Sequence, residues 1–329
     1  MDHYIGLDWA QKVMAVARLS KTGKKSEVFE YPSDVKYLKD YLKKLHGKKL
    51  LTLEESTAAQ WLYVELKDHV DELIVCDPRR NSYLSEGAKT DKKDAIKLAE
   101  LARCGMLKSV YHSGEIFISF RKFVSGYEDV IKSGVRWKNQ RSAIFRALGK
   151  DTNEQIDNES DLFVLNGVDE ALALYESERR RYVQLFKELC KKHKLLSNLR
   201  SVPGLRSIGA VKVAARVVNP RRFSDVKKFW AYCGLIKYEK MSGGKSYGQR
   251  RTNYCRVLKD VIGTAALVCT NVKSETYITR YHRYLIETKR YSDHVAINGV
   301  RRHIAALIFG VMKSGKKFDE ERISRRLNK

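Results

Sequence analysis

The chain has 329 residues, with 64 Lys+Arg against 39 Asp+Glu and a formal charge of +25. That length predicts two or three domains, and 43% hydrophobic with 10% aromatic residues excludes a mainly disordered chain. No apolar run approaches the ~20 residues of a membrane span, and the opening MDHYIGLDWA lacks the basic-then-apolar order of a signal peptide, so a soluble, cytoplasmic protein is expected.

The first hundred residues read as strands followed by alternating helix and strand. Tyr4–Trp9 and Val13–Leu19 are β-rich, residues 21–25 form a hairpin turn, and Glu27–Tyr31 gives a third strand. Apolar positions 35, 38, 42 and 45 predict a helix over Ser33–Leu45 with Ser33 as N-cap. Lys49–Glu55 returns to strand, Ala58–Val70 to helix and Glu72–Cys76 to strand. The chain is helical again from Asp91 to about Met106. The order β-β-β-α-β-α-β-α is that of an RNase H-like α/β fold, a mixed sheet flanked by helices.

The middle third is different in kind. Residues 115–148 and 169–198 are long, charged stretches with apolar spacings of three and four, bracketing a polar, acidic segment over Lys150–Asp161. Two long helices are expected, as an antiparallel hairpin or a dimerising coiled coil, with Gly126 and Gly134 interrupting the heptad. From about residue 200 a mainly helical region follows. Ser201–Gly209 is a glycine-bearing turn before a helix over Ala210–Val218, the pattern of a helix-hairpin-helix element whose backbone N–H groups bind phosphate without reading sequence. Gly204 and Arg206 lie in that turn, and Arg221 and Arg222 in Pro220-Arg-Arg-Phe223. A helix over Asp225–Cys233, a polar Gly/Ser loop over Met241–Gly248 and further helices lead to basic segments at Lys313–Lys317 and Arg325-Arg326. The expected division is 1–110, 111–198 and 199–329.

Charge follows that division. Residues 1–195 carry 35 basic and 30 acidic side chains, whereas residues 196–329 carry 29 and 9, a net +20 that calls for a polyanionic partner. No basic amphipathic helix or lipidation motif makes that partner a membrane. The six cysteines are scattered without a C-x-x-C pair, which reads as buried free thiols and not as disulfides or a zinc site.

Four carboxylates stand at topologically related places. Asp8 ends the first strand, Glu55 the fourth, and Asp91 and Asp94 share one face of the last helix's first turn. Asp91 and Asp94 alone would suit a helix N-terminus on dipole grounds. Converged, the four would need divalent cations, and oxygen-only ligands favour Mg²⁺ or Mn²⁺, which can clamp both reacting oxygens of a phosphodiester. Glu54 and Glu55 point to opposite faces of a strand, so one alone can join, and periodicity does not choose. Ser242 sits among glycines and cations (Lys245, Arg250, Arg251), where a hydroxyl could attack phosphorus; Ser246 is its neighbouring rival. Trp9, Trp61 and Trp230 read as core residues before base-stacking platforms.

With these pieces in order, the chain resembles the DEDD-type transposases of insertion-sequence family 110, which includes the Piv DNA invertases. The resemblance rests on Gly6-x-Asp8, Glu55-x-Thr57, Lys89-Thr-Asp-x-x-Asp-Ala95, Val202-Pro-Gly204, Phe223, Gly234-Leu235 and Ser242-Gly-Gly-Lys245. Ala58, Ile236-Lys237 and Thr252 depart from the family pattern. The resemblance implies a RuvC-like domain, a coiled-coil linker and a transposase domain with a serine nucleophile. It further implies Mg²⁺ on Asp8, Glu55, Asp91 and Asp94, a 5′-phosphoserine on Ser242, and a tetramer built as a dimer of dimers. A structured bridge RNA would guide the enzyme to donor and target DNA, so that pairing reads sequence while the protein holds backbone. The rivals are a junction resolvase that uses water as nucleophile, a Piv-type invertase, and a nucleic-acid-binding protein without catalysis. A sugar-kinase or actin-like ATPase is disfavoured by the absence of a glycine-rich phosphate loop in the first domain.

Overall fold

The computed structural model describes residues 1–77, 90–110, 115–251, 253–272 and 275–321. It contains two compact units, Met1–Glu115 and Ile116–Lys329, each with its own hydrophobic core.

In the first unit, strand alternation decides what each residue faces. β1 (His3–Trp9), β2 (Val13–Ser20), β3 (Lys25–Pro32), β4 (Lys49–Glu54) and β5 (Glu72–Cys76) form one sheet in the order β3-β2-β1-β4-β5. β1, β2 and β3 make an antiparallel meander, and β4 and β5 run parallel to β1. Ile5 and Leu7 of β1 and Leu51 and Leu53 of β4 enter a core closed by α1 (Val35–Lys44) and α2 (Ala59–Leu66). Each such fully buried side chain contributes about 1.5–3 kcal/mol. The helix α1 is capped by Asp34, whose carboxylate accepts from Lys36 N–H, and not by Ser33. Ser33 instead donates its hydroxyl to Ala10 O at 2.7 Å, spending its side chain on the preceding turn. The helix α2 is shorter than its apolar pattern, ending in a single 3₁₀ turn over Lys67–His69.

The other face is covered by α3 (Asp91–Arg103), whose Ala95 packs with Ala15 and Ala17 of β2. The approach is close enough to need glycine beneath it. A Cβ on Gly6 would collide with the Ala95 carbonyl and stand 2.8 Å from Ala99 N. At the helix end, the Arg103 guanidinium lies 3.1 Å from where a Cβ on Gly23 would be, in the β2–β3 turn. Near its start, Lys92 pairs with Glu30 at 3.0 Å, and Glu30 is in register with Ala15 and, through it, with Asp8. The helix therefore runs antiparallel to β1, with its first turn at the Asp8 end.

The second unit opens with α4 (Glu115–Ala147) and α5 (Glu159–Lys192). They form an antiparallel hairpin within one chain: Arg141 bonds Asp169 at 2.8 Å, and Tyr127 meets Tyr182 and Phe186 edge-on. The second helix starts ten residues before the apolar spacing indicates, because Asn158 caps it by accepting from Ser160 and Asp161 N–H. Gly126 and Gly134 are notches. A Cβ at Gly134 would collide with the edge of the Tyr175 ring, and one at Gly126 would strike the Tyr182 hydroxyl. Phe120, Val124, Tyr127, Phe186 and Cys190 continue into the core shared by α6 (Lys194–Leu199), α7 (Ser207–Val217), α8 (Val226–Tyr232), α9 (Arg256–Thr270), α10 (Tyr277–Glu287) and α11 (Asp293–Ser314). Buried Asn198 ties the chain's far parts together, donating Nδ2–H to Gly315 O at 2.7 Å.

Among the described residues, α11 alone is long and apolar enough to cross a membrane by length and composition, and half of that stretch is buried in the unit's core. All six cysteines are free; Cys76, Cys190, Cys233 and Cys269 are buried, Cys255 is partly so, and Cys104 is exposed, contrary to expectation. Arg325-Arg326 lie outside the described residues.

Candidate functional site

Asp8 is the last but one residue of β1 and shares the even-numbered face with Gly6, the face on which α3 lies. The parallel register sets Gly6 beside Thr52 and Leu7 beside Leu53. Glu54 is therefore level with Asp8 and on its face. Glu55 is the first residue past β4 and is exposed, its N–H held by Cys76 O at 2.9 Å. Register with β1 is the signal that sequence alone lacks.

Asp91 and Asp94 occupy the first turn of α3, whose N-cap, Thr90, accepts from Lys93 N–H. The antiparallel run of that helix brings both to the Asp8 end of the sheet. The donors are all oxygen, as a hard divalent cation requires. Among the described residues, no three such groups stand close enough together to hold a metal ion. Asp8, Glu54, Asp91 and Asp94 share an end and a face, not a ligand shell: Asp8 and Asp94 are half-buried, whereas Glu54 and Asp91, like Glu55 beside them, are exposed.

The segment expected as a loop around Ser242 is a β-hairpin. β6 (Lys237–Ser242) and β7 (Lys245–Arg251) pair antiparallel, and the turn is Gly243-Gly244 alone. Both glycines have positive φ, 55° and 77°, which a two-residue primed turn demands. Ser242 stands at the tip, exposed and directly opposite Lys245. Arg250 pairs with Tyr238, and the Arg251 backbone with Lys237. Ser246 pairs with Met241, one step back from the turn. Every residue of β6 is exposed, so the ribbon stands clear of the core.

The remaining predicted cations divide by what they touch. Arg206 and Arg221 are exposed. Arg222 donates to Arg216 O at 3.1 Å and lies 4.7 Å over both the Phe223 and Tyr232 rings, so it is also a structural clasp. Gly204 has φ +74°, and a Cβ there would collide with the Ala265 carbonyl oxygen of α9 and stand 2.9 Å from Ala265 Cα. That packing accounts for its being glycine. The turn before α7 has no side-chain cap at Arg206, leaving the helix's first N–H groups to solvent or a ligand. Trp9 and Trp230 are partly buried against cores, and Trp230 donates to Arg302 O at 2.9 Å. Trp61 packs edge-on to Trp9 while 46% exposed.

A mixed sheet with acids at one end and a basic helical unit bearing an exposed serine suit an enzyme that acts on DNA, of the transposase class. Residues 5–148 match the DEDD transposase model of IS110, and residues 196–282 match the transposase IS116/IS110/IS902 family. The chain belongs to this family of insertion-sequence transposases. No curated protein matches it.

Proposed function

We propose that the chain transposes DNA by strand cleavage and rejoining at a serine, assisted by a carboxylate-bound divalent metal. The observation that supports this reading is that Asp8, the end of β4 and the first turn of α3 lie at one end of one sheet. The strand order β3-β2-β1-β4-β5 supports an RNase H-like, RuvC-like sheet as its frame. Asp8, Asp91 and Asp94 would hold Mg²⁺ or Mn²⁺, with Glu55 or Glu54 as the fourth carboxylate, and face alternation favours Glu54. Such ions stabilise the charge that builds on phosphate oxygens during displacement.

The Ser242 hydroxyl oxygen attacks phosphorus, forming the Oγ–P bond. The P–O3′ bond breaks, the departing 3′-oxygen ends protonated, and the 5′-phosphate stays on serine. Lys245, opposite Ser242, offsets the phosphate charge, while Arg250 and Arg251, toward the other end of β7, hold backbone farther along the strand. Gly204, Arg206, Arg221 and Arg222 hold backbone elsewhere. Donor and target DNA, a structured guide RNA and a tetramer built as a dimer of dimers complete the working assembly. In it the divisions 1–110, 111–198 and 199–329 serve as nuclease-like, linker and serine-bearing parts of a cytoplasmic, nucleoid-bound enzyme.

Incubation with the element's end DNA and Mg²⁺, followed by denaturation, tests the chemistry. A covalent protein–DNA adduct is expected from the unaltered chain and none from Ser242→Ala. An adduct that persists in Ser242→Ala overturns the serine assignment. Cleavage with no adduct in either protein makes water the nucleophile, as in a junction resolvase.

A further inference from the structure

A second basic feature lies on the helical unit, away from the residues so far assigned. Tyr254, Arg256, Lys259, Asp260, Gly263 and Arg301 line an open cavity of about 350 Å³ along α9. The spacing 256, 259, 260, 263 is one helical face. Three cations and one carboxylate line it, and among the described residues none of the three cations makes an ion pair. Lys259 is steered over the Tyr254 ring, 4.8 Å from its centroid. Arg301 reaches in from α11, held by Asn298 Oδ1 at 3.0 Å, yet its buried Nε has no hydrogen-bond partner.

Gly263 adds an independent sign. It sits inside α9, where glycine is a poorer helix former than alanine. Unlike Gly6 or Gly204, no protein atom requires it: a Cβ there would meet nothing closer than Arg301 Nε at 3.8 Å, an ordinary contact. Its missing side chain leaves room for something else to approach the backbone.

We propose that this cavity binds one backbone phosphate of a nucleic acid, through Arg256, Lys259 and Arg301 over the gap at Gly263. The inference rests on the reading of the chain as a nucleic-acid enzyme. Tyr254 lies three residues past the end of β7, so the cavity and Ser242 belong to opposite ends of the same ribbon. An extended strand of that length spans roughly 20 Å. The bound phosphate is therefore an anchor, several nucleotides from the one under attack, and either DNA or a guide RNA could supply it.

Binding of the full chain to duplex DNA and to duplex RNA of the same length, measured across a salt series, tests this. Arg256→Gln combined with Lys259→Gln is expected to weaken binding about ten-fold or more and to lower the salt slope by about one to two. Gly263→Ala is expected to keep or raise the melting temperature while weakening binding several-fold, a combination that a merely structural glycine would not give. Loss confined to DNA, or to RNA, supports the cavity and names the strand it holds. If the unaltered chain binds and the variants match it on both duplexes, the cavity proposal is overturned. If the unaltered chain binds neither duplex, the underlying functional reading falls with it.

Discussion

Adjacent residues of identical chemistry can differ completely in what they reach. Glu54 and Glu55 are neighbours in sequence, but the register that sets Gly6 beside Thr52 and Leu7 beside Leu53 carries on to Asp8 and Glu54, the last residue of β4, whereas Glu55 lies past the strand. On the proposed reading, Glu54→Gln lowers strand cleavage by at least about a hundred-fold, in the range of removing one group that stabilises transition-state charge. Glu55→Gln leaves cleavage within a few-fold. Cleavage of labelled end DNA at saturating Mg²⁺ measures both, and the reverse ranking would return the role to Glu55. The choice was illegible in sequence because both residues end the same strand, and only a partner's register distinguishes them. Gly6 was legible as a motif residue, but its reason, the backbone of α3 lying directly above, appears only once the helix is placed. Gly204 and Arg222 likewise read as phosphate binders from composition, while packing on Ala265 and a clasp over two aromatic rings supply structural causes for them.

At the scale of elements, the order of strands and helices was readable because each has one dry face and therefore a period. The β6–β7 ribbon failed that test: both of its faces are wet, so no alternation distinguished it from a loop, although Gly243-Gly244 was a hairpin signal. The contact between α10 and α11 carries a pH dependence of its own. His303 of α11 accepts from or donates to the Tyr277 hydroxyl of α10, and burial holds the imidazole below the usual histidine range. Burial also pushes the Tyr277 phenol up to about 12, with nearby Tyr281 and Glu320 adding to the rise. Tyr277 therefore donates at neutral pH, and the neutral imidazole accepts. As pH falls below about 6.5, the unfolded chain takes up the histidine proton first, so stability is lost until the folded-state pKa is passed. Melting curves from about pH 7 down to about pH 5 are expected to show this decline, and His303→Gln should make it shallower. An unchanged slope in that variant would detach the effect from this contact.

Over the whole molecule, charge and stability are unevenly shared. Both units own a core, but the excess of cations lies toward the C-terminal end of the chain. The fragment 116–329 is therefore expected to fold alone and to keep most of the salt-dependent nucleic-acid binding of the full chain. The fragment 1–115, nearly balanced in charge, should bind at least about ten-fold more weakly at the same salt. Electrophoretic mobility at two ionic strengths decides between this and binding spread evenly over both.

The tyrosines seated in the notches at Gly126 and Gly134 have a mechanical consequence. A helix slides past its neighbour in steps of about 5.4 Å, and each step would drive those rings into the opposing backbone. The hairpin is thus keyed like a ratchet that has been locked. From Tyr127 to Ala147 it extends about 30 Å, a strut of set length whose far end cannot creep toward the core.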